Sequence, residues 1–249
     1  LIRTRKPLTL QAFLEQPTIQ AMARYMVTGE PTVDQKQSLV FNESGNKIFC
    51  FPSILGDFSE YQVMAEHITD YSFHCFRVNY YRAVETDGYV DYIIKNRQEN
   101  KPLILIGYSA GGVLAFTVAQ VLEEKGITVS GIILIDSYII NSNNYTVMMD
   151  YTLQKGGCNG SLFELEEYLN YFTTINYNLP VKANIYNIKS NRVMNQSVDL
   201  NADWQRCTTG LFKLIQGHGD HQNMLSTPHI YENAQLIMNI IKSLGNSSK

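Results

Sequence analysis

The chain has 249 residues, of which 45% are hydrophobic, 11% aromatic and 17% charged. That length admits one large α/β domain with or without an appendage, and that composition excludes a disordered chain. With 20 Lys and Arg against 23 Asp and Glu the net charge is −3, which excludes the basic surplus of a nucleic-acid binder.

Residues 8–26 predict two short helices, the second starting at Pro17 with Ile19, Met22, Ala23 and Met26 at helical spacing. A polar segment from Val27 to Ser44 reads as a linker with an edge strand around Ser38–Phe41. From Lys47 the chain alternates strands and helices. Ile48–Phe51 predicts a strand, Glu60–Ile68 a helix, Ser72–Tyr80 a strand and Val84–Arg97 a helix. Leu103–Ile106 predicts a buried strand, Gly112–Glu124 a helix and Gly131–Ile135 another buried strand. Two more strands are expected at Ala183–Ile188 and Leu211–Ile215, and a closing helix at Glu232–Leu244. Short, continuously apolar strands separated by helices mean a parallel sheet covered on both faces, with right-handed crossovers. The expected class is therefore α/β, doubly wound.

Residues 141–180 break this rhythm with Asn143-Asn144, Gly156-Gly157 and a helix-like Leu162–Phe172. An insertion after the carboxyl end of a strand is where a lid over a site lies; an ordinary loop-and-helix excursion is the competing reading. The opening residues Leu1 to Pro7 lack the apolar centre of a secretion signal, and no apolar run approaches the roughly 18 residues of a membrane span. There is no initiator Met, so the chain reads as a piece of something longer. The four cysteines, Cys50, Cys75, Cys158 and Cys207, form no C-x-x-C pair, and a reducing, cytoplasmic setting is expected.

The sharpest motif is Gly107-Tyr108-Ser109-Ala110-Gly111-Gly112, between an apolar strand and a helix. A tight strand-to-helix turn of this kind strains the backbone of its central serine and lifts the hydroxyl above the sheet. Glycine on both sides removes the Cβ atoms that would clash, and the amides at the start of the helix can hold an oxyanion. A purely structural turn is the alternative. A phosphate-binding loop fits less well, because no Gly-Lys-Ser/Thr ending follows.

A serine hydroxyl needs a base, and the base needs an orienting carboxylate. In this strand–turn–helix architecture the acid and then the histidine follow the serine in chain order. Asp136 comes directly after the strand that follows the Ser109 turn, so it is expected at the same sheet edge. Asp199, Asp203 and Asp220 compete, and a turn or cap role is the plain alternative for Asp136. Among five histidines, His67 on a helix and His74 inside a strand read as structural, and His229 as a surface or helix-start residue. His218 and His221 share the loop after the strand Leu211–Ile215, with His221 favoured as base. The oxyanion donors are expected to be the backbone amides of Ala110 and Ile54, with Ser53 as the alternative to Ile54; Pro52 has no N–H.

These motifs, with Phe51-Pro52-Ser53-Ile54-Leu55-Gly56 and Gly219-Asp220-His221-Gln222-Asn223-Met224-Leu225, resemble type I thioesterase domains. Such domains end nonribosomal peptide synthetases, and the likeness is strongest to the Bacillus lipopeptide type, surfactin- or fengycin-like. The resemblance covers roughly residue 33 to the end. Residues 8–19 are similar to the last helix region of a peptidyl carrier domain, and the Gly-Gly-x-Ser setting of a carrier serine is absent. The expected organisation is thus a carrier remnant and linker over residues 1–30, a thioesterase with the α/β-hydrolase fold over 31–249, and a lid over about 141–180. Ser53 departs from the Gly or Pro frequent at that position, and the stretch between Asp136 and His221 is short for a family with a substantial lid.

The resemblance implies acyl transfer in two steps. Ser109, with His221 as base and Asp136 behind it, takes a peptidyl or lipopeptidyl group from the phosphopantetheine arm of an upstream carrier domain in cis. Water or an internal nucleophile of the peptide then releases it, by hydrolysis or macrocyclisation. No cofactor bound in the chain, no metal, no nucleic acid and no membrane span are expected. A stand-alone editing thioesterase or general serine esterase is the nearest alternative, and a non-catalytic binding module with the same fold the more distant one.

Overall fold

The computed structural model describes residues 38–54, 58–77, 86–141, 145–154, 162–191 and 204–246. The two helices expected over residues 8–26, and with them Leu55, Gly56, Cys158, Asp199 and Asp203, lie outside the described residues.

Among the described residues seven strands form one sheet: β1 (Ser38–Phe41), β2 (Asn46–Phe51), β3 (Tyr71–Phe76), β4 (Ile104–Tyr108), β5 (Gly131–Ile135), β6 (Asn184–Lys189) and β7 (Phe212–Gln216). Their spatial order is β1-β3-β2-β4-β5-β6-β7. All neighbours run parallel except β1, which is antiparallel to β3. Strands β4 and β5 are buried throughout, as the two unbroken apolar runs in the sequence require of a sheet with covered faces.

The helices are α1 (Ser59–His67), α2 (Thr86–Asn96), α3 (Ala110–Glu124), α4 (Tyr145–Gln154), α5 (Leu162–Thr173) and α6 (Ile230–Asn246). Met64, Ala65 and Ile68 of the α1 region and Ala234, Ile237, Ile241 and Leu244 of α6 pack on one face of the sheet. Val90 and Ile93 of α2 and Val113, Phe116 and Ala119 of α3 pack on the other, where Met148, Leu165, Leu169 and Phe172 of α4 and α5 join them. Helix α3 is apolar almost all round because it packs on β2, β4 and β5 on one side and against α2 on another.

The differences from expectation have local causes. The segment read as irregular contains α4; Tyr145, Met148 and Met149 supply helical spacing, with the asparagine and glycine pairs outside it. Strand β7 starts one residue later than Leu211 and is half exposed, with Leu214 54% accessible. As the last strand of the sheet among the described residues it has a strand neighbour on one side, and Lys213 interrupts its apolar residues, so it is not buried as β4 and β5 are. Helix α3 starts at Ala110 rather than Gly112, directly behind Ser109.

The register brings three strand ends level. Tyr108 pairs with Ile135, and Ile135 with Ile188. The next residues, Ser109, Asp136 and Lys189, therefore share one carboxyl edge of the sheet, where ligands bind in open α/β folds.

Candidate active site

Ser109 takes φ 54° and ψ −123°, a left-handed backbone conformation rare outside glycine. Its amide bonds to the Ile135 carbonyl (2.9 Å), and the Ser137 hydroxyl donates to its carbonyl (2.7 Å). The flanking glycines are required by close backbone approach. A Cβ at Gly107 would run into the Gly111 carbonyl, and a Cβ at Gly111 into the Phe51 carbonyl. The sequence spacing thus reflects a real three-way packing of β2, the turn and the start of α3.

The Ser109 Oγ lies 3.0 Å from His221 Nε2, and His221 Nδ1 lies 2.7 Å from Asp136 Oδ2. With Asp136 accepting from Nδ1–H, Nε2 is left to accept the serine proton. Asp136 is fully buried and itself has a positive φ of 44°, its amide bonded to the Ile188 carbonyl (2.7 Å). Its Oδ1 also accepts from the Ser190 amide (3.0 Å) and the Tyr138 hydroxyl (3.2 Å), and faces Lys189 Nζ at 3.2 Å. Burial alone would raise the Asp136 carboxyl. The hydrogen bond from His221, the Lys189 charge and the Ser190 amide outweigh it and hold the group well below the usual carboxylate range.

The His221 loop is built on the buried Asn233 of α6. Its Oδ1 accepts from the His218 amide (2.9 Å), and its Nδ2 donates to the carbonyls of His218 and Met224 (both 2.8 Å). Gly217 joins the loop to the sheet through its amide and the Lys189 carbonyl (2.8 Å). Tyr108 stacks on the His221 ring with centroids 5.4 Å apart, and its hydroxyl donates to the His221 carbonyl.

The competing residues are placed otherwise. His218 is exposed, and Asp220 turns its Oδ1 back to the Gln222 amide (3.0 Å). His67 is exposed against Tyr231, and His229 lies beside Gly219. His74 is buried in β3, its Nδ1 2.9 Å from the Tyr92 hydroxyl. Ala110 heads α3, so its amide is among those without an intrahelical acceptor. Ile54 follows β2 in a turn beside Ser53, whose hydroxyl donates to Glu60 (3.1 Å). Among the described residues no group of three or more His, Cys, Asp or Glu is placed to hold a metal ion, and no helix is long and apolar enough to cross a membrane.

The model of the thioesterase domain family matches residues 46–185, more than half of the chain. The chain belongs to the thioesterase family. Among solved structures, this thioesterase is similar to the thioesterase domain that cyclises the lipopeptide antibiotic surfactin. The TM-score is 0.68 at 25% identity, over 84% of this chain and 98% of that one. The fold is that of an α/β-hydrolase, with a seven-stranded, mostly parallel sheet. Subunit 3 of the Bacillus subtilis (strain 168) surfactin synthase is 27% identical over 95% of this chain, and Bacillus licheniformis bacitracin synthase 3 is 29% identical over 91%. This thioesterase spans 20% and 4% of those two proteins.

Sequence reasoning missed Tyr108, Ser137, Tyr138, Lys189 and Asn233 as parts of the site. A signal existed for Lys189: a lysine ending an apolar parallel strand sits at the edge where polar groups converge. None existed for Asn233, whose role depends on α6 reaching back to the His221 loop.

Proposed function

We propose that this thioesterase releases a finished peptide or lipopeptide from the phosphopantetheine thioester of an upstream carrier domain in cis. Residues 1–30 are the tail of that carrier and its linker, residues 31–249 the thioesterase, and 141–180 its lid. The observation that carries this reading is the hydrogen-bonded line from Ser109 Oγ through His221 to Asp136, at 3.0 and 2.7 Å.

In the first step the Ser109 hydroxyl passes its proton to His221 Nε2 as Oγ attacks the thioester carbonyl. The amides of Ala110 and Ile54 hold the oxyanion, the C–S bond breaks, and His221 returns the proton to the departing thiolate. A peptidyl-O-Ser109 ester remains. In the second step His221 deprotonates water or an internal hydroxyl or amine of the same peptide, and Ser109 recovers its proton as it leaves. Asp136 keeps the tautomer and orientation of His221 and stabilises its imidazolium.

Likeness to the surfactin-cyclising domain favours ring closure, which needs a cleft that folds the acyl chain back and excludes water. The chain carries no resident cofactor in this reading and acts in the cytoplasm. Mass spectrometry of products from a panel of linear peptidyl thioesters tests it. Products one water lighter than the free acid establish macrocyclisation, and free acids establish hydrolysis. A strong preference for simple esters over peptidyl thioesters overturns the assembly-line assignment. A fluorophosphonate that fails to label Ser109 in the wild type overturns the enzyme.

A further inference from the structure

Lys189 ends β6, and its ammonium is placed against the carboxylate behind the candidate base. Nζ lies 3.2 Å from Asp136 Oδ1, and 3.5 Å from the centre of the Tyr138 ring. The lysine side chain is 9% exposed and the aspartate side chain 0%. An ammonium buried this deeply is costly unless it faces a fixed anion. The carboxylate, by contrast, already accepts from Ser190 N, the Tyr138 hydroxyl and His221 Nδ1. Lys189 therefore adds a full charge to a group that dipoles already hydrogen-bond. The two carboxylate oxygens face two different bases, His221 on Oδ2 and Lys189 on Oδ1.

Tyr108 of β4 stacks on His221, and the Ser109 hydroxyl faces its Nε2. Tyr138 follows β5, and Asp220 precedes His221 in its loop with its carboxylate bonded to the Gln222 amide. Of these the cation against Asp136 is Lys189. Its charge repels the imidazolium that must form across the carboxylate during the reaction.

We infer that Lys189 is a positioning residue that pins Asp136 through Oδ1 and sets its positive charge across the carboxylate from His221, so that turnover persists in mildly acidic solution. This inference rests on the catalytic reading of Ser109, His221 and Asp136.

The test measures kcat/KM against pH for the full chain on a linear peptidyl thioester of N-acetylcysteamine. In Lys189→Met the acid limb moves up by roughly one pH unit relative to the variant's own plateau. Well below that limb the variant loses about tenfold more activity than the wild type. In Lys189→Arg, which keeps the charge, the limb stays within about 0.3 unit. A limb in Lys189→Met that stays put or moves down overturns the inference, as does Lys189→Arg behaving like Lys189→Met. Ser109→Ala separates the two readings: if it retains full activity the catalytic assignment fails, whereas an inactive Ser109→Ala with an unmoved Lys189→Met limb defeats the Lys189 inference alone. Should Lys189→Met fail to fold, Lys189→Gln, which keeps a donor near Asp136 Oδ1 without the charge, takes its place with the same two outcomes.

Discussion

The Ser137 hydroxyl donates to the Ser109 carbonyl at 2.7 Å and lies 3.3 Å from the Gly107 carbonyl. One side chain from the segment after β5 thus clamps both limbs of the strained turn that carries the candidate nucleophile. The clamp leaves no room for a Cβ at Gly112, which would strike the Ser137 Oγ. Ser137 is itself held in place, its carbonyl accepting from the indole of the buried Trp204 (3.1 Å).

Ser137→Ala removes this clamp and leaves a buried carbonyl with one donor fewer. The expected loss is about 1–2 kcal/mol, because the group left behind keeps its desolvation cost. For a chain of this size that lowers Tm by roughly 2–8 °C. Calorimetry checks the melting temperature, and fluorophosphonate labelling checks whether Ser109 has lost reactivity. An unchanged Tm removes the clamp from the account.

Gly111→Ala and Gly245→Ala form a matched pair. At Gly111 the new methyl meets the Phe51 backbone, which cannot yield without moving β2. A loss of about 3 kcal/mol or an insoluble protein is expected. At Gly245, near the end of α6, nothing lies within 4 Å. There alanine leaves stability unchanged or raises it by up to about 1 kcal/mol. Urea unfolding of the two variants decides.

Tyr108→Phe keeps the ring stacked on His221 and deletes the hydroxyl that bonds the His221 carbonyl. One lost hydrogen bond to the loop corresponds to roughly a 2- to 12-fold drop in kcat/KM. Tyr108→Ala loses the stack as well and should fall further. Equal effects of the two changes assign the whole contribution to the hydroxyl.

Acid sensitivity follows from His74. Burial, with Lys47 nearby, lowers its pKa to about 4 from an ordinary 6.5. The unfolded chain therefore binds a proton that the folded one refuses between those values, and stability falls as pH drops through that window. The effect is of the order of 2 kcal/mol. His74→Asn can keep a partner for the Tyr92 hydroxyl without titrating, so its stability should fall less between about pH 7 and 4.5. A wild type and variant with parallel pH curves refute this role.

Asp136 adds a loss at lower pH. Its folded carboxyl is held below the usual range, so its contribution is present above the unfolded value near 4 and disappears as pH falls further. Asp136→Asn removes that dependence. It also reverses the hydrogen-bonding preference of His221 and leaves the buried Lys189 ammonium without its anion, so kcat should fall about 10⁴-fold and stability by roughly 3–5 kcal/mol. Steady-state rates and circular dichroism of the same preparation separate the two effects.

Some features were legible in the residue order alone because their causes are local. Continuous apolar runs at Leu103–Ile106 and Gly131–Ile135 mark strands buried on both sides, since no other environment in an α/β fold tolerates them. The Gly107, Ser109 and Gly111 spacing marks a turn too tight for Cβ atoms. At β7 the sequence Phe212-Lys213-Leu214-Ile215 is interrupted by a lysine, and the strand is half exposed; how far Leu214 is covered depends on having a second strand neighbour and was not legible.

The residue order by itself determined the succession of strands and helices and the cramped turn at Ser109, both consequences of period and side-chain size within a few neighbouring residues. The residue order favoured His221 over His218 and Asp136 over Asp220, and the tertiary structure brings those two to Ser109; it alone decided that Lys189 and Tyr138 complete the carboxylate's surroundings. Those choices depend on which strand ends fall level and on how Asn233 folds one loop. A repeating pattern specifies which side of an element is apolar; it carries no information on which distant side chain a register will bring within 3.0 Å.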